Sequence, residues 1–157
     1  MKRTYRHEAQ NSLFSFTPVF SIKLVKERDF DSTPITTPED VAKLLCEFLR
    51  DSDRERFVVL MLATSGACIG INVVSVGTLN AALVHPREVF KPLILGNVAS
   101  CILSHGHPSG NLTPSREDIA VTRKLVEAGK LLDIPVRDHI IVGHDGKYTS
   151  LAERGLM

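Results

Sequence analysis

The sequence predicts one α/β domain, a mixed sandwich in which helices cover a central sheet. Segments of helical period alternate with both hairpin-linked and isolated strands, which a regular doubly wound sheet would not give. The 157 residues suffice for one hydrophobic core and fall short of two ordinary ones. Hydrophobic residues at 43% and charged residues at 24% exclude a disordered or fibrous chain.

Residues 1–18 are expected to form a polar, flexible arm, and residues 19–157 the domain. Phe20, Ile22 and Leu24 alternate with Ser21, Lys23 and Val25, which predicts a strand with one buried face. A loop over residues 29–36 leads to Thr37-Pro38-Glu39-Asp40, a helix start with a capping hydroxyl, a proline at the first position and two acids. Val41, Leu44, Leu45, Phe48 and Leu49 follow at helical spacing. The apolar run Phe57–Leu62 predicts a central strand, and the turn Thr64-Ser65-Gly66 joins it to a second over Ala67–Val76. His85-Pro86 opens a helix carrying Val89, Phe90, Leu93 and Ile94, with Pro92 as an interior obstacle costing about 3 kcal/mol. Ser100–His105 is the next strand, followed by a Pro/Gly-rich loop from Gly106 to Pro114. A helix from Ser115 to about Leu132 turns Ile119, Thr122, Leu125 and Val126 inward. Ile134–Val142 is a strand, Asp145-Gly146 a hairpin turn to Lys147–Ser150, and a short polar helix near Ala152 ends the chain.

The formal charge of +1 gives no global reason to bind a polyanion. Three arginines lie between Arg50 and Arg56, but Asp51, Asp53 and Glu55 interleave with them and are expected to cancel their field. Cys46, Cys68 and Cys101 are odd in number and show no C-x-x-C, so they read as small buried apolar residues. Neither a secretory signal nor a membrane-length apolar run is present, which makes the cytoplasm the expected compartment and a membrane partner unexpected.

Chemistry concentrates in one passage, Ser104 to Asp118. Residues two apart on a strand project to the same side, so His105 and His107 can aim both imidazoles at one point. The loop returns the chain, and Asp118, one turn into the next helix, can face the same point. Two imidazoles and one carboxylate leave a fourth tetrahedral position open, the arrangement of catalytic rather than structural zinc.

The spacing His-x-His, seven residues, Ser, two residues, Asp is that of the JAMM (MPN+) metalloprotease motif. More narrowly, the chain resembles the RadC family, from about Phe20 to its C-terminus. The stretches that carry this are Ser75–Asn80, Val84–Phe90, His107-Pro108-Ser109-Gly110, Pro114-Ser115 with Asp118, and Asp138-His139-Ile140-Ile141. The resemblance implies a cytidine-deaminase-like α-β-α sandwich with a central mixed β-sheet, and hydrolysis of a peptide or isopeptide bond by a zinc-bound water. His105, His107 and Asp118 fall on the zinc ligands, and Ser115 on the serine that steadies the oxyanion. Glu55 matches the glutamate that deprotonates the water; Glu88, also in a family block, is its rival. Two departures stand out. Gly106 takes the place of an Asn common between the two histidines, which suggests a more mobile loop. The residues before Phe20 are too few for the helix-hairpin-helix domain of longer members, which weakens a DNA-repair assignment.

Each of these residues also has a reading without chemistry. Ser115 to Asp118 is a capping pattern, and Glu55 sits in a charge run typical of a solvated turn. His85 is expected to cap its helix and no more. Asp138-His139 is either a pair that orients a ligand or a strand-end hydrogen bond, while His7 and His144 read as surface residues. The expected function is a zinc metallopeptidase acting on a peptide or protein. The alternatives are a nucleic-acid-associated accessory protein with a structural or vestigial metal site, and a metal-dependent nuclease. The nuclease lacks an evident second metal or arginine clamp. Specificity is expected from the loop Gly106–Pro114 and the stretch near Gly77.

Overall fold

Residues 18–29, 35, 37–50, 52, 54–77, 84–107, 110–143 and 146–157 are described by the computed structural model. Helix α1 (Pro38–Leu49) starts where its cap dictates. The Thr37 hydroxyl accepts the Asp40 N–H at 3.2 Å, and the Asp40 carboxylate accepts the Thr37 N–H at 3.0 Å. Strands β1 (Arg56–Leu62) and β2 (Cys68–Val76) form the expected antiparallel hairpin. Then follow α2 (Pro86–Leu95), β3 (Ser100–Gly106), α3 (Arg116–Leu131), β4 (Val136–Val142) and β5 (Tyr148–Ser150).

The sheet runs β2-β1-β3-β4-β5. It is mixed: β3 and β4 are parallel and joined through α3, and the other pairs are antiparallel. Strand alternation sorts its side chains into two cores. Val58, Leu60 and Leu62 face α1 together with Ile102, Ile140 and Val142. Phe57, Val59 and Met61 face the other way, packing with Cys101 and Leu103 against Val89, Phe90 and Leu93 of α2 and Val121 and Leu125 of α3. The result is the α-β-α sandwich, with β3 central and its C-terminal end carrying the motif.

The structure corrects several expectations. Residues 20–25 form no strand, and Phe20, Ile22 and Leu24 remain 82%, 71% and 48% exposed. Alternation shows what a segment can bury, but a ladder needs a partner edge, and none pairs with it among the described residues. The buried stripe of α3 is Asp118, Val121, Thr122, Leu125 and Gly129, so Ile119 and Val126 lie at its margins. Residues 151–155 form turns rather than a helix, tied by Gly155 N–H to Ala152 O and Leu156 N–H to Leu151 O, both at 2.9 Å. Only Cys101 is fully buried; Cys46 and Cys68 are half-buried, and their thiols donate to the carbonyls of Gly143 and Gly70. Pro92 stays inside a continuous α2 with its ring buried on the core face, leaving the Glu88 carbonyl without its usual helical donor. His85 caps α2 as expected, its Nδ1 accepting the Arg87 N–H at 3.1 Å.

The arm over residues 1–15 with His7, the segment Thr78–Asn80, Asp51, Asp53, Pro108, Ser109, His144 and Asp145 lie outside the described residues. No helix among the described residues is long and apolar enough to cross a membrane.

Candidate metal centre

Strand β3 delivers His105 fully buried and His107 half-buried at its C-terminal end. Asp118, at the third position of α3, is only 1% exposed because it heads the helix's buried stripe. One ligand atom from each of these residues lies within 4.8 Å of the others. His105 Nε2 is 2.9 Å from His107 Nε2 and 3.4 Å from Asp118 Oδ1, and His107 Nε2 is 3.8 Å from Asp118 Oδ2. Tetrahedral zinc, with bonds of about 2.0–2.2 Å, sets its ligands about 3.4 Å apart, so these separations bracket the requirement.

The hydrogen-bond network shows which nitrogens face the centre. The single proton of the Thr122 hydroxyl is donated to the Asp118 backbone carbonyl at 2.6 Å. Its oxygen therefore accepts from His139 Nδ1–H, 2.5 Å away. That leaves His139 Nε2 bare to accept from His105 Nδ1–H at 2.8 Å, and His105 Nε2 bare toward the centre. His107 Nδ1–H donates to the Asn111 carbonyl, so its Nε2 is bare as well. Asp118 Oδ2 accepts from the Ser115 N–H at 2.8 Å and the Ser115 hydroxyl at 2.7 Å, whereas the buried Oδ1 has no hydrogen-bond partner among the described residues. Three acceptors thus converge with no donor among them, an arrangement that a cation satisfies.

Electrostatics points the same way. Burial pushes His105 down to about 4, with the Asp118 carboxylate opposing and His107 adding to the drop. Burial, then His105 and His107, hold His139 well below the ordinary imidazole value. Both rings are neutral near pH 7, as metal ligation requires of His105. Phe57 seals the inner wall, stacked on His105 with centroids 6.1 Å apart and edge-on to His139 at 5.5 Å.

Of the other sequence-derived residues, Ser115 is the cap of α3, its oxygen accepting the Asp118 N–H at 3.0 Å. The capping reading therefore holds, and the same hydroxyl sits one hydrogen bond from a ligand carboxylate. Glu55 precedes β1, and its carbonyl accepts the Gly77 N–H at 2.9 Å. Phe57 and His105 are the last paired residues of β1 and β3 in that direction; continued two residues beyond it, the register would bring Glu55 toward His107, on the face that Phe57 shares with His105. Glu88 is engaged elsewhere: Arg87 and Lys91 hold its oxygens at 2.9 and 2.7 Å, and those bonds keep its carboxyl below the usual range, Lys91 most. Asp138-His139 divides between both readings. His139 backs His105, whereas Asp138 accepts from His139 N, Ala152 N and the Ser150 hydroxyl and so ties β5 and the C-terminal turn to β4. Thr122 was legible only as an inward-facing helix residue. Its place one turn after Asp118, on the same face, is the signal that could have marked it.

Comparison with known proteins agrees with this geometry. The profile of the RadC-like JAB domain matches residues 35–156, beginning later than Phe20. A UPF0758 protein of Desulforamulus reducens is 53% identical over 123 residues, 78% of this chain and 54% of its own length. One from Moorella thermoacetica is 55% identical over 125 residues, 80% of this chain and 54% of its own. A third, from Methanosarcina mazei, is 50% identical over 123 residues, 78% and 53% respectively. The chain thus spans about half the length of the curated relatives it matches. With a mixed-sheet sandwich, a His-His-Asp cluster at the end of its central strand and a profile match over most of its length, the chain belongs to the RadC-like JAB domain family.

Proposed function

We propose that this domain is a zinc-dependent hydrolase of amide bonds, peptide or isopeptide. The observation that carries the reading is the convergence of two bare imidazole nitrogens and an unpartnered carboxylate oxygen at the end of β3. Two nitrogens and one oxygen suit zinc, and three protein ligands leave a position open, as catalytic sites do. Bound there, zinc supplies Lewis acidity and lowers the pKa of water from about 15.7 toward about 7. His105, His107 and Asp118 hold the ion, and Phe57 excludes solvent from the inner side.

Glu55 is the proton carrier in this reading: its carboxylate takes the proton of the attacking water and delivers it to the leaving amine. Its place two residues before Phe57, which pairs with His105, and the engagement of Glu88 with Arg87 and Lys91 support that choice. The Ser115 hydroxyl turns from Asp118 to the developing alkoxide, a contact worth about 100–1000-fold in rate.

The test combines metal analysis with turnover. Protein purified without chelators is expected to hold one zinc per chain, and His107→Ala to lose it. Zinc-loaded protein is then assayed on a mixture of internally quenched peptides and ubiquitin-type isopeptides. Glu55→Gln is expected to keep its zinc while turnover falls by about 100–10,000-fold. Absence of zinc uptake by the unaltered protein, or equal turnover in Glu55→Gln, overturns the reading.

A further inference from the structure

A cleft lies on the opposite side of β3 from the His105 imidazole. Arg50 at the end of α1, Arg54, and Arg56 at the start of β1 line a cleft of about 50 Å³, whose far wall includes Gly106 and His107. His107 belongs to both this cleft and the metal-ligating trio. We propose that the cleft is a carboxylate-binding subsite that holds an anionic group of the peptide substrate beside the hydrolytic centre. The substrate class rests on the amide-hydrolase reading; the carboxylate site itself does not.

Four observations carry it. Arg56 Nε is buried and has no hydrogen-bond partner among the described residues, a donor that is costly to leave unsatisfied. Neither Arg50 nor Arg56 forms an ion pair among the described residues. Strand alternation sends Arg56 to one side of β1 and the preceding Glu55 to the other, and Glu55 does not line the cleft; Asp51 and Asp53 lie outside the described residues. Finally, a Cβ on Gly106 would meet Val142 Cγ2 at 3.6 Å and Leu49 Cδ1 at 3.7 Å, both lining residues, so the glycine keeps the cleft open.

Size and chemistry select the ligand. A water needs about 10–15 Å³ of such space, so the cleft takes a group of a few heavy atoms and no ring. Guanidinium forks match the planar, two-oxygen geometry of a carboxylate. A peptide offers one at its C-terminus or on an acidic side chain, and both would place negative charge one residue from the metal ligands.

Succinate and its uncharged diamide serve as probes, titrated separately into the full chain while the Nε–H resonance of Arg56 is followed by NMR. Succinate is expected to shift that resonance saturably and the diamide to leave it in place. Arg56→Gln is expected to weaken succinate binding, read by calorimetry, by about tenfold to hundredfold, and Arg56→Lys to recover only part of the loss. Arg50→Gln, at an exposed helix end where folding is not at stake, is expected to weaken it several-fold. Equal shifts with the diamide, an unmoved Arg56 signal, or saturation by inorganic phosphate but not succinate overturns the subsite. The sources are separated by kcat/KM on one peptide carrying a free C-terminus, an amidated one, or an amidated one with a Glu side chain. Failure of all hydrolysis would overturn the amide-hydrolase reading while leaving the succinate result standing.

Discussion

Thr122 shows how one hydroxyl can set the state of a candidate metal site that it does not touch. Its proton is committed to the Asp118 carbonyl, so it can only accept from His139, and His139 in turn only from His105. The tautomers of His139 and His105 both follow from that first bond. Thr122→Val keeps the shape and removes the hydroxyl, leaving His139 free to reverse its tautomer and present Nε2–H toward His105. Zinc affinity is expected to fall by about 10–100-fold, the usual effect of losing an outer partner of a ligating histidine. Competition with a chromophoric chelator measures it, and Thr122→Ser should restore most of the affinity. If Thr122→Val binds zinc as tightly as the unaltered protein, His139 does not control the tautomer of His105.

At the scale of elements, what the sequence disclosed divides by how local the deciding interaction is. The starts of α1, α2 and α3 were legible because each cap bonds within three residues of itself. The convergence of His105, His107 and Asp118 was legible for a related reason: a strand end, one loop and a helix start confine it to residues 105–118. Residues 20–25 failed because a strand exists only with a partner, and His139 was ambiguous because its contact with His105 spans 34 positions. In α3 the sequence marks Thr122 and Leu125 as buried and Val126 as packing on the core, but misses the stripe's ends, since a charged Asp118 at its head and Gly129 near its end do not look like core residues. Gly129 nevertheless marks a close approach of α3 to the connection that follows it. A Cβ there would lie 2.6 Å from the Ile134 carbonyl, 3.3 Å from Phe90 Cζ and 3.4 Å from Val136 Cγ2. Alanine gains about 1 kcal/mol in helix propensity. Displacing backbone costs more, so Gly129→Ala is expected to destabilise by a net 1–3 kcal/mol or so and to lower Tm by roughly 2–10 °C. A Tm equal to or above that of the unaltered chain would show that the turn after α3 yields freely.

The whole molecule should register its buried imidazoles as acid sensitivity. His105 and His139 are neutral in the folded chain, with His105 pushed down to about 4 and His139 well below its ordinary value. Unfolding exposes both to water, where each takes up a proton near pH 6.5. Between about pH 6.5 and 4 the unfolded state therefore binds more protons than the folded one, and stability must rise with pH across that interval. It is intact above about 6.5 and is lost as the pH falls toward 4. For His105 alone the drop is of the order of 3 kcal/mol over the full interval, and His139 deepens it. A ligand that binds only the folded state would mask the effect, so the measurement belongs to chelator-treated protein. Ordinary carboxylates titrate mainly near pH 4, which makes the range from 6.5 to 5 the informative one. Tm is expected to fall continuously across it, and the slope to diminish in His139→Phe, where one of the two depressed groups is gone. A flat Tm over that range would mean that water reaches both rings in the folded state. The donor-free cluster at the end of β3 would then already be solvated before any metal arrives.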